Sequence, residues 1–554
     1  MDSTLYQSCQ VTHFQFDPSV AARRKLRVSL CATAIALSVG FGLATSAVQA
    51  EMLPAFSQSL ATAAAGDEAI QTWYRSTGYA PLWTSAADAD RRAALFAAFA
   101  TASDHGLPQN RYDPDALAAE FAAARTEGDR ARLEVAMTRA YLAFARDLTS
   151  GALVPSEIDR TIVREIAVVD PQAHLAAIAT MPPAKTLQDL VPDSTVYSQL
   201  MHGKLQLEAA IAAGGWGPTV PPGTLSPGDT GPAVVALRDR LMRMGYLGRS
   251  VTADYDADIA RAVTAFQVNH GLVADGVFSD TTWVELNTSP QERLGSVIVA
   301  MERERWLDID RSVRHIWVNM PDFSAKIMDH GKTVFQTRVV IGKNVPDQRS
   351  PEFSDLMEFM VINPSWSVPR SITVKEYLPL LQRNPNAVSH LKVIDGNGRV
   401  VSRGAVNFAA YTARNFPFAL RQPPSDGNAL GKVKFMFPNT HNIYLHDTPS
   451  KDLFDHDVRA YSHGCIRVAD PFDLAHELLS VQSTEAEAEF ERVLVTDAET
   501  MVPLEKAVPV HLVYFTAYPT QKGKMSYRRD VYGRDAAILA ALQAAGVVIP
   551  GVQG

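Results

Sequence analysis

The sequence is poor in cysteine. Among 554 residues there are three, Cys9, Cys31 and Cys465, and the first two lie within the first fifty positions. So few thiols exclude a disulfide-built scaffold. No CxxC and no HExxH occurs, which removes the usual signatures of structural and peptidase zinc. Positive charge is also short. The chain carries a net −8, and the first fifty residues contribute +2, so the remainder stands at −10. An acidic chain of this kind is a poor binder of nucleic acid. Beyond residue 50 no run of eighteen apolar residues exists, so no membrane span is expected there.

What is present begins with a leader-like segment. Arg23, Arg24, Lys25 and Arg27 precede an apolar stretch from Val28 to Leu43, and Val48-Gln49-Ala50 offers a small-residue cleavage site. That order predicts a secretory signal peptide over residues 1–50, hence a periplasmic protein. The competing reading is an uncleaved anchor associating with the inner membrane, because Val28 to Val48 is just long enough to span one.

Composition further on divides the chain. Residues 52–213 are alanine-rich with helical periodicity, as in the face Leu133, Ala136, Met137, Ala140, Tyr141 and Phe144, and read as a helical scaffold domain. The Gly/Pro-rich stretch opening at Gly214 marks a linker over 214–224. Residues 225–288 follow as a small unit of three helices, with apolar stripes Val234, Leu237, Leu241, Met244 and Ile259, Ala262, Val263, Phe266. A helix over 291–306 leads onward.

From His315 the period changes to two. Strands are predicted at 316–320, 324–329, 333–342, 357–366, 442–447, 492–497 and 508–519. Together they predict a mainly β domain over 312–500, with residues 501–545 supplying strands that complete it. A polar, Pro-rich segment at about 370–430 reads as a helical insertion, placed where a cap or lid would sit. The fold class expected is therefore multidomain α+β.

If the leader is removed, one thiol is left, and it stands among histidines in LHDTPSKDLFDHDVRAYSHGCIRV, residues 445–468. A thiol is nucleophilic as thiolate, and a neighbouring imidazole can take its proton. His463 would share a face with Cys465 if Ser462 to Val468 is extended, whereas His446 reaches it only if the strand ending there lies alongside. Asp447 could orient the His446 ring by carboxylate or carbonyl. Gly464, lacking a Cβ, would let a carbonyl oxygen approach the backbone amides of 464 and 465 as an oxyanion hole. Two other readings compete: a zinc site built from Cys465 with His441, His446, His456 and His463, and a buried core thiol.

Residue 446, fifteen intervening positions and then Ser462-His463-Gly464-Cys465-Ile466-Arg467 resemble the signature of the L,D-transpeptidases. The likeness extends further. GDTGPAVVALRDRLMRMGYL, AFQVNHGL and DGVF within 225–288 resemble a peptidoglycan-binding domain, while NPSWSVP (363–369), LHDTP (445–449) and YRRDVYGRD (527–535) are similar to the large, capped members. The resemblance implies a transpeptidase-type β-sandwich. It implies that Cys465 attacks a peptidoglycan tetrapeptide stem between residues 3 and 4, releases D-alanine, and passes the acyl group to an acceptor amine as a 3→3 crosslink. It makes His446 the proton acceptor and donor, places His463 and Gly464 with Cys465 at the oxyanion hole, and suggests Tyr444, Ser462, Arg467 and Trp366 as substrate contacts. No metal or cofactor is implied; carbapenem β-lactams are implied as covalent inhibitors. His446-Asp447 departs from the His-Gly of many relatives, which bears on the subgroup. The alternatives are a hydrolase of the same thioester, meaning a carboxypeptidase or an enzyme that detaches wall-linked protein, and a non-catalytic wall-binding protein.

Overall fold

A computed structural model describes residues 54–307 and 309–551. The leader reading, with its choice between cleavage and anchoring, lies outside them. Among the described residues no helix is long and apolar enough to cross a membrane.

The N-terminal region is helical. Its longest member, α1 (Glu127–Ser150), opens with Thr126 and Asp129 capping each other's backbone amides. Its buried face, including Leu133, Met137, Tyr141 and Phe144, follows the 3.6 spacing and joins a large core with Trp83, Leu95 and Phe99. Within α1 the buried Glu134 carboxylate accepts from the amides of Leu82, Trp83 and Thr84 and from the Tyr74 hydroxyl, tying down the segment 82–84. Helix α2 (Thr195–Ala212) closes this region.

The next unit has the three helices its stripes predict: α3 (Pro232–Arg243), α4 (Ala257–Asn269) and α5 (Asp280–Asn287). Val234, Leu237, Leu241, Ile259, Val263, Phe266 and Phe278 form a separate small core. Helix α6 (Pro290–Arg305) begins at a Ser289/Glu292 capping box and runs into the scaffold core, packed against α2.

Four strands then start the β domain: β1 (His315–Asn319), β2 (Ser324–Asp329), β3 (Lys332–Gly342) and β4 (Phe353–Ile362). The insertion follows. Its first part is helical, over Arg370–Arg383 with a π-helical turn at Thr373–Tyr377. The rest is not: β5 (Trp366–Ser367), β6 (Lys392–Ile394), β7 (Val400–Val401) and β8 (Ala419–Gln422) form a four-stranded sheet in the order β5-β8-β6-β7. The insertion has a core of its own, including Ile372, Leu381, Val393, Phe408 and Phe416.

The chain returns through β9 (Val433–Met436), β10 (Leu445–His446), β11 (Ala460–Ser462) and β12 (Ile466–Val468) to helix α7 (Pro471–Leu479). Residues 492–497, expected as a strand, instead end a helix, α8 (Ala486–Leu494). Phe490, Val493 and Leu494 face the core at helical spacing, and the short alternation there could not reveal it. Strand β13 (Thr500–Val513) completes a nine-stranded sheet, β11-β3-β12-β10-β9-β4-β13-β1-β2, in which β2 also pairs with β3 and so closes it.

Residues past β13 depart from expectation. The hairpin β14 (Ala517–Pro519) with β15 (Met525–Tyr527), and helix α9 (Arg534–Ala544), pack through Phe515, Ala517, Met525, Tyr527, Ile538 and Leu542 into the scaffold core, not that of the β domain. Alternation marks a strand's buried face but not which core receives it. Charge joins the regions where they meet. Buried Arg303 of α6 bonds Glu352 at 2.6 Å and Asp535 at 2.9 Å, and buried Arg534 bonds Glu352 at 3.2 Å.

Candidate active site

Strands β10 and β12 run parallel, with Leu445 opposite Ile466 and His446 opposite Arg467. Leu445 and Ile466 are fully buried in the domain core. Alternation therefore puts Tyr444, His446, Cys465 and Arg467 together on the other face. The strand ending in His446 does lie alongside the cysteine segment.

Cys465 is half-buried and is the single cysteine among the described residues. Burial pushes its thiol up to about 11, against the opposing pull of the Tyr444 amide and hydroxyl and of the Arg467 charge. Its Sγ lies 3.6 Å from the carbonyl of Asn442. His446 is buried too, and burial, then the Arg467 charge, hold its imidazole down at about 3. Both shifts disfavour a resting thiolate–imidazolium pair. They favour a thiol and a neutral ring at rest.

The tautomer of that ring follows from its neighbour. Nδ1 lies 2.5 Å from the Asp447 carbonyl, so it carries the proton and leaves Nε2 as the acceptor. Of the two ways Asp447 could orient the ring, the structure uses the carbonyl. Its carboxylate is occupied by the amides of Lys432 and Thr448 and by Lys451 Nζ at 2.7–2.8 Å. Gly431 makes this possible: a Cβ there would stand 2.1 Å from Asp447 Oδ2, and its φ of +59° suits glycine.

Between β11 and β12 the loop 463–465 turns through Gly464 at φ +118°. Any side chain there would be strained, and its Cβ would press on Ile443 at 3.1 Å. The loop is not a continuous strand, yet burial still alternates: Tyr461, His463, Cys465 and Arg467 are half-exposed while Ser462, Gly464, Ile466 and Val468 are buried. The side chain of His463 leaves the cysteine for the insertion, with Nε2 2.7 Å from Glu376 of the π-turn.

With this geometry in view, comparison with known proteins decides the family. Residues 313–495 match the family model "L,D-transpeptidase catalytic domain", residues 230–286 "Putative peptidoglycan binding domain" and residues 68–203 "Scaffold domain". The β domain thus matches the L,D-transpeptidase catalytic domain. Over 239 residues the chain is 31% identical to a "Putative L,D-transpeptidase" of Haemophilus influenzae, covering 43% of this chain and 48% of that protein. It thus spans about half the length of that curated relative. Two solved L,D-transpeptidase structures are similar over 54% of the chain. One, from Xylanimonas cellulosilytica, is 15% identical with a TM-score of 0.16 and 98% of its length covered. The other, from Stackebrandtia nassauensis, is 13% identical with a TM-score of 0.22 and 97% covered.

Three expected roles in the transpeptidase domain change. The amide of Gly464 is not open to a substrate oxygen, because it donates to Ser462 Oγ at 3.0 Å. Ser462 is not available as a substrate contact: it is buried, and its hydroxyl donates to the Cys465 carbonyl at 2.6 Å while accepting from Gly464. Trp366 packs edge-on against Tyr377 and against the core of the insertion, which gives it a structural role in the cap. The histidines of the zinc reading also scatter: His441 lies against Phe353, His456 against Tyr461 and His463 against Glu376. Among the described residues no three His, Cys, Asp or Glu side chains gather to hold a metal ion.

Arg467 and Tyr444 remain on the cysteine face. No hydrogen-bond or ion-pair partner for the Arg467 side chain occurs among the described residues, and its Nε is fully buried without one. The Tyr444 hydroxyl is held far above its usual range by burial and by the adjacent sulfur. The residues that spacing could not mark are Ser350, from the β3–β4 connection, and Glu376, from the insertion; both touch the 462–465 loop.

Proposed function

We propose that the protein is a peptidoglycan L,D-transpeptidase working outside the cytoplasm, with Cys465 as its nucleophile. Wall-acting and wall-binding domains in one chain imply the extracytoplasmic location and stem-peptide substrates. The single observation carrying the mechanism is the β10/β12 register, which sets the thiol and an imidazole with a free Nε2 on one face.

In the donor step the thiol proton passes to His446 Nε2 as sulfur bonds to the carbonyl carbon of stem residue 3. A thiol held at about 11 and an imidazole at about 3 make this transfer concerted with attack. The carbonyl electrons move onto oxygen and are met by the backbone amides of His463 and Cys465, which have no partner among the described residues. Collapse breaks the C–N bond, His446 returns the proton to nitrogen, and D-alanine leaves. The acceptor amine then attacks the thioester and loses a proton to His446. The thiolate departs and is reprotonated, leaving a 3→3 crosslink.

Arg467 suits the carboxylate of the donor stem: it is a cation on the reacting face without an anion of its own. The cap would keep water from the thioester so that the amine prevails. Digesting purified wall with the enzyme and weighing the fragments tests the reading. Dimers joined 3→3 are expected. Trimmed tetrapeptides or released protein without such dimers would make the enzyme a hydrolase, and unchanged wall would leave a binding protein.

A further inference from the structure

The YRRDVYGRD tail has no part in the chemistry above, yet two of its side chains reach the segment behind the nucleophile. Tyr532 donates to the Gly342 carbonyl at 2.6 Å and accepts from the Ser350 amide at 3.3 Å. Arg534, fully buried, donates to the Ser350 carbonyl at 2.9 Å and to Thr161 Oγ1 at 2.6 Å. Ser350 is thus held on both its backbone groups by the tail. Its hydroxyl accepts from the Gly342 amide at 3.0 Å and donates to the Gly464 carbonyl at 2.6 Å.

That last bond has a geometric consequence. In a trans peptide the carbonyl and the following N–H lie in one plane and point in opposite directions. Fixing the Gly464 oxygen on Ser350 therefore turns the Cys465 N–H away from Ser350. One peptide earlier the Ser462 carbonyl accepts from the Lys343 amide at 2.9 Å, which turns the His463 N–H away from Lys343. The 342–350 segment takes the carbonyls of 462 and 464 on one side, and the amides of 463 and 465 are left open on the other. The Gly464 amide, between them, is consumed by Ser462.

We propose that Ser350 is a positioning residue for the oxyanion hole: it aims the Cys465 amide by holding the Gly464 carbonyl, and Tyr532 and Arg534 of the C-terminal tail hold Ser350 in place. The proposal rests on Cys465 being the acyl acceptor. It explains why a tail whose hairpin and helix pack into the scaffold core also lays Tyr532 in the core of the β domain, behind this site.

Two reagents separate aim from integrity. Acylation of Cys465 by a carbapenem builds negative charge on a carbonyl oxygen, whereas alkylation by iodoacetamide does not. With the full-length chain, Ser350→Ala is expected to lower the saturating acylation rate about 10- to 100-fold. The half-saturating carbapenem concentration and the alkylation rate should stay within about two- to threefold of the parent. Tyr532→Phe, which removes the support but not the serine, should show the same selective loss at smaller size. It carries the test if Ser350→Ala does not fold. An unchanged acylation rate in the variants, or equal slowing toward both reagents, would overturn the proposal. Failure of the underlying reading looks different: the parent enzyme itself would then take up no carbapenem at Cys465.

Discussion

Two regions hold the cysteine loop and the 342–350 segment behind it, and they hold them differently. The cap meets them through surface charge: Glu376 pairs with His463, and Lys375 pairs with Asp347, with side chains 30–67% exposed. The C-terminal tail holds the 342–350 segment through Tyr532 and Arg534, both buried, within a network that includes Glu352, Arg303 and Asp535. Exposed pairs contribute about 0–1 kcal/mol and are screened by salt. Losing one partner of a buried pair costs about 3–5 kcal/mol because the other charge is stranded. The tail is thus tied far more strongly than the cap. The proposed reaction, in which two peptide stems enter in turn, has use for both.

The largest effect expected leaves both regions intact. Cys465→Ala should abolish crosslink formation, a loss on the order of 10^4-fold or more, with an unchanged melting curve. His446→Ala should slow acylation about 10²- to 10⁴-fold, read as adduct formation over time. Next comes the tail. Arg534→Ala should lower the melting temperature by several degrees, matching about 3–5 kcal/mol, and should slow acylation as well. If it melts like the parent, the contrast between buried and exposed ties fails.

A smaller effect concerns the thiol. With Cys465 pushed up to about 11, its alkylation by iodoacetamide should climb steadily from pH 6 to pH 9 without a plateau. A plateau reached below pH 7 would mean a standing thiolate. The smallest effect belongs to the cap. Glu376→Gln should leave the melting temperature unmoved and change turnover only a few-fold, and added salt should shrink even that difference. A large stability loss in this variant would put the cap in the same class as the tail.

Much of this was legible in sequence, for reasons that also mark where it stops. Alternation placed β2 at its observed bounds and β1 and β3 within a residue, because one face of each meets a single core. That Cys465 and His446 share one face was legible because polar, chemistry-bearing residues crowd a short segment. The cap's sheet was not, since strands of two to four residues are too short to display a period. Nor was the fate of Gly464, since backbone amides are assigned by where neighbouring carbonyls are held, and Ser350 lies 114 residues away. The scaffold-seated tail escaped for a related reason: a buried arginine looks in sequence like any exposed one.

The most direct test is the mass of the intact protein after incubation with a carbapenem, followed by mapping of the adduct. One added inhibitor per chain, confined to the peptide containing Cys465, absent from Cys465→Ala and slow to form in His446→Ala, is the predicted result. No adduct, or one that persists in Cys465→Ala, would contradict it.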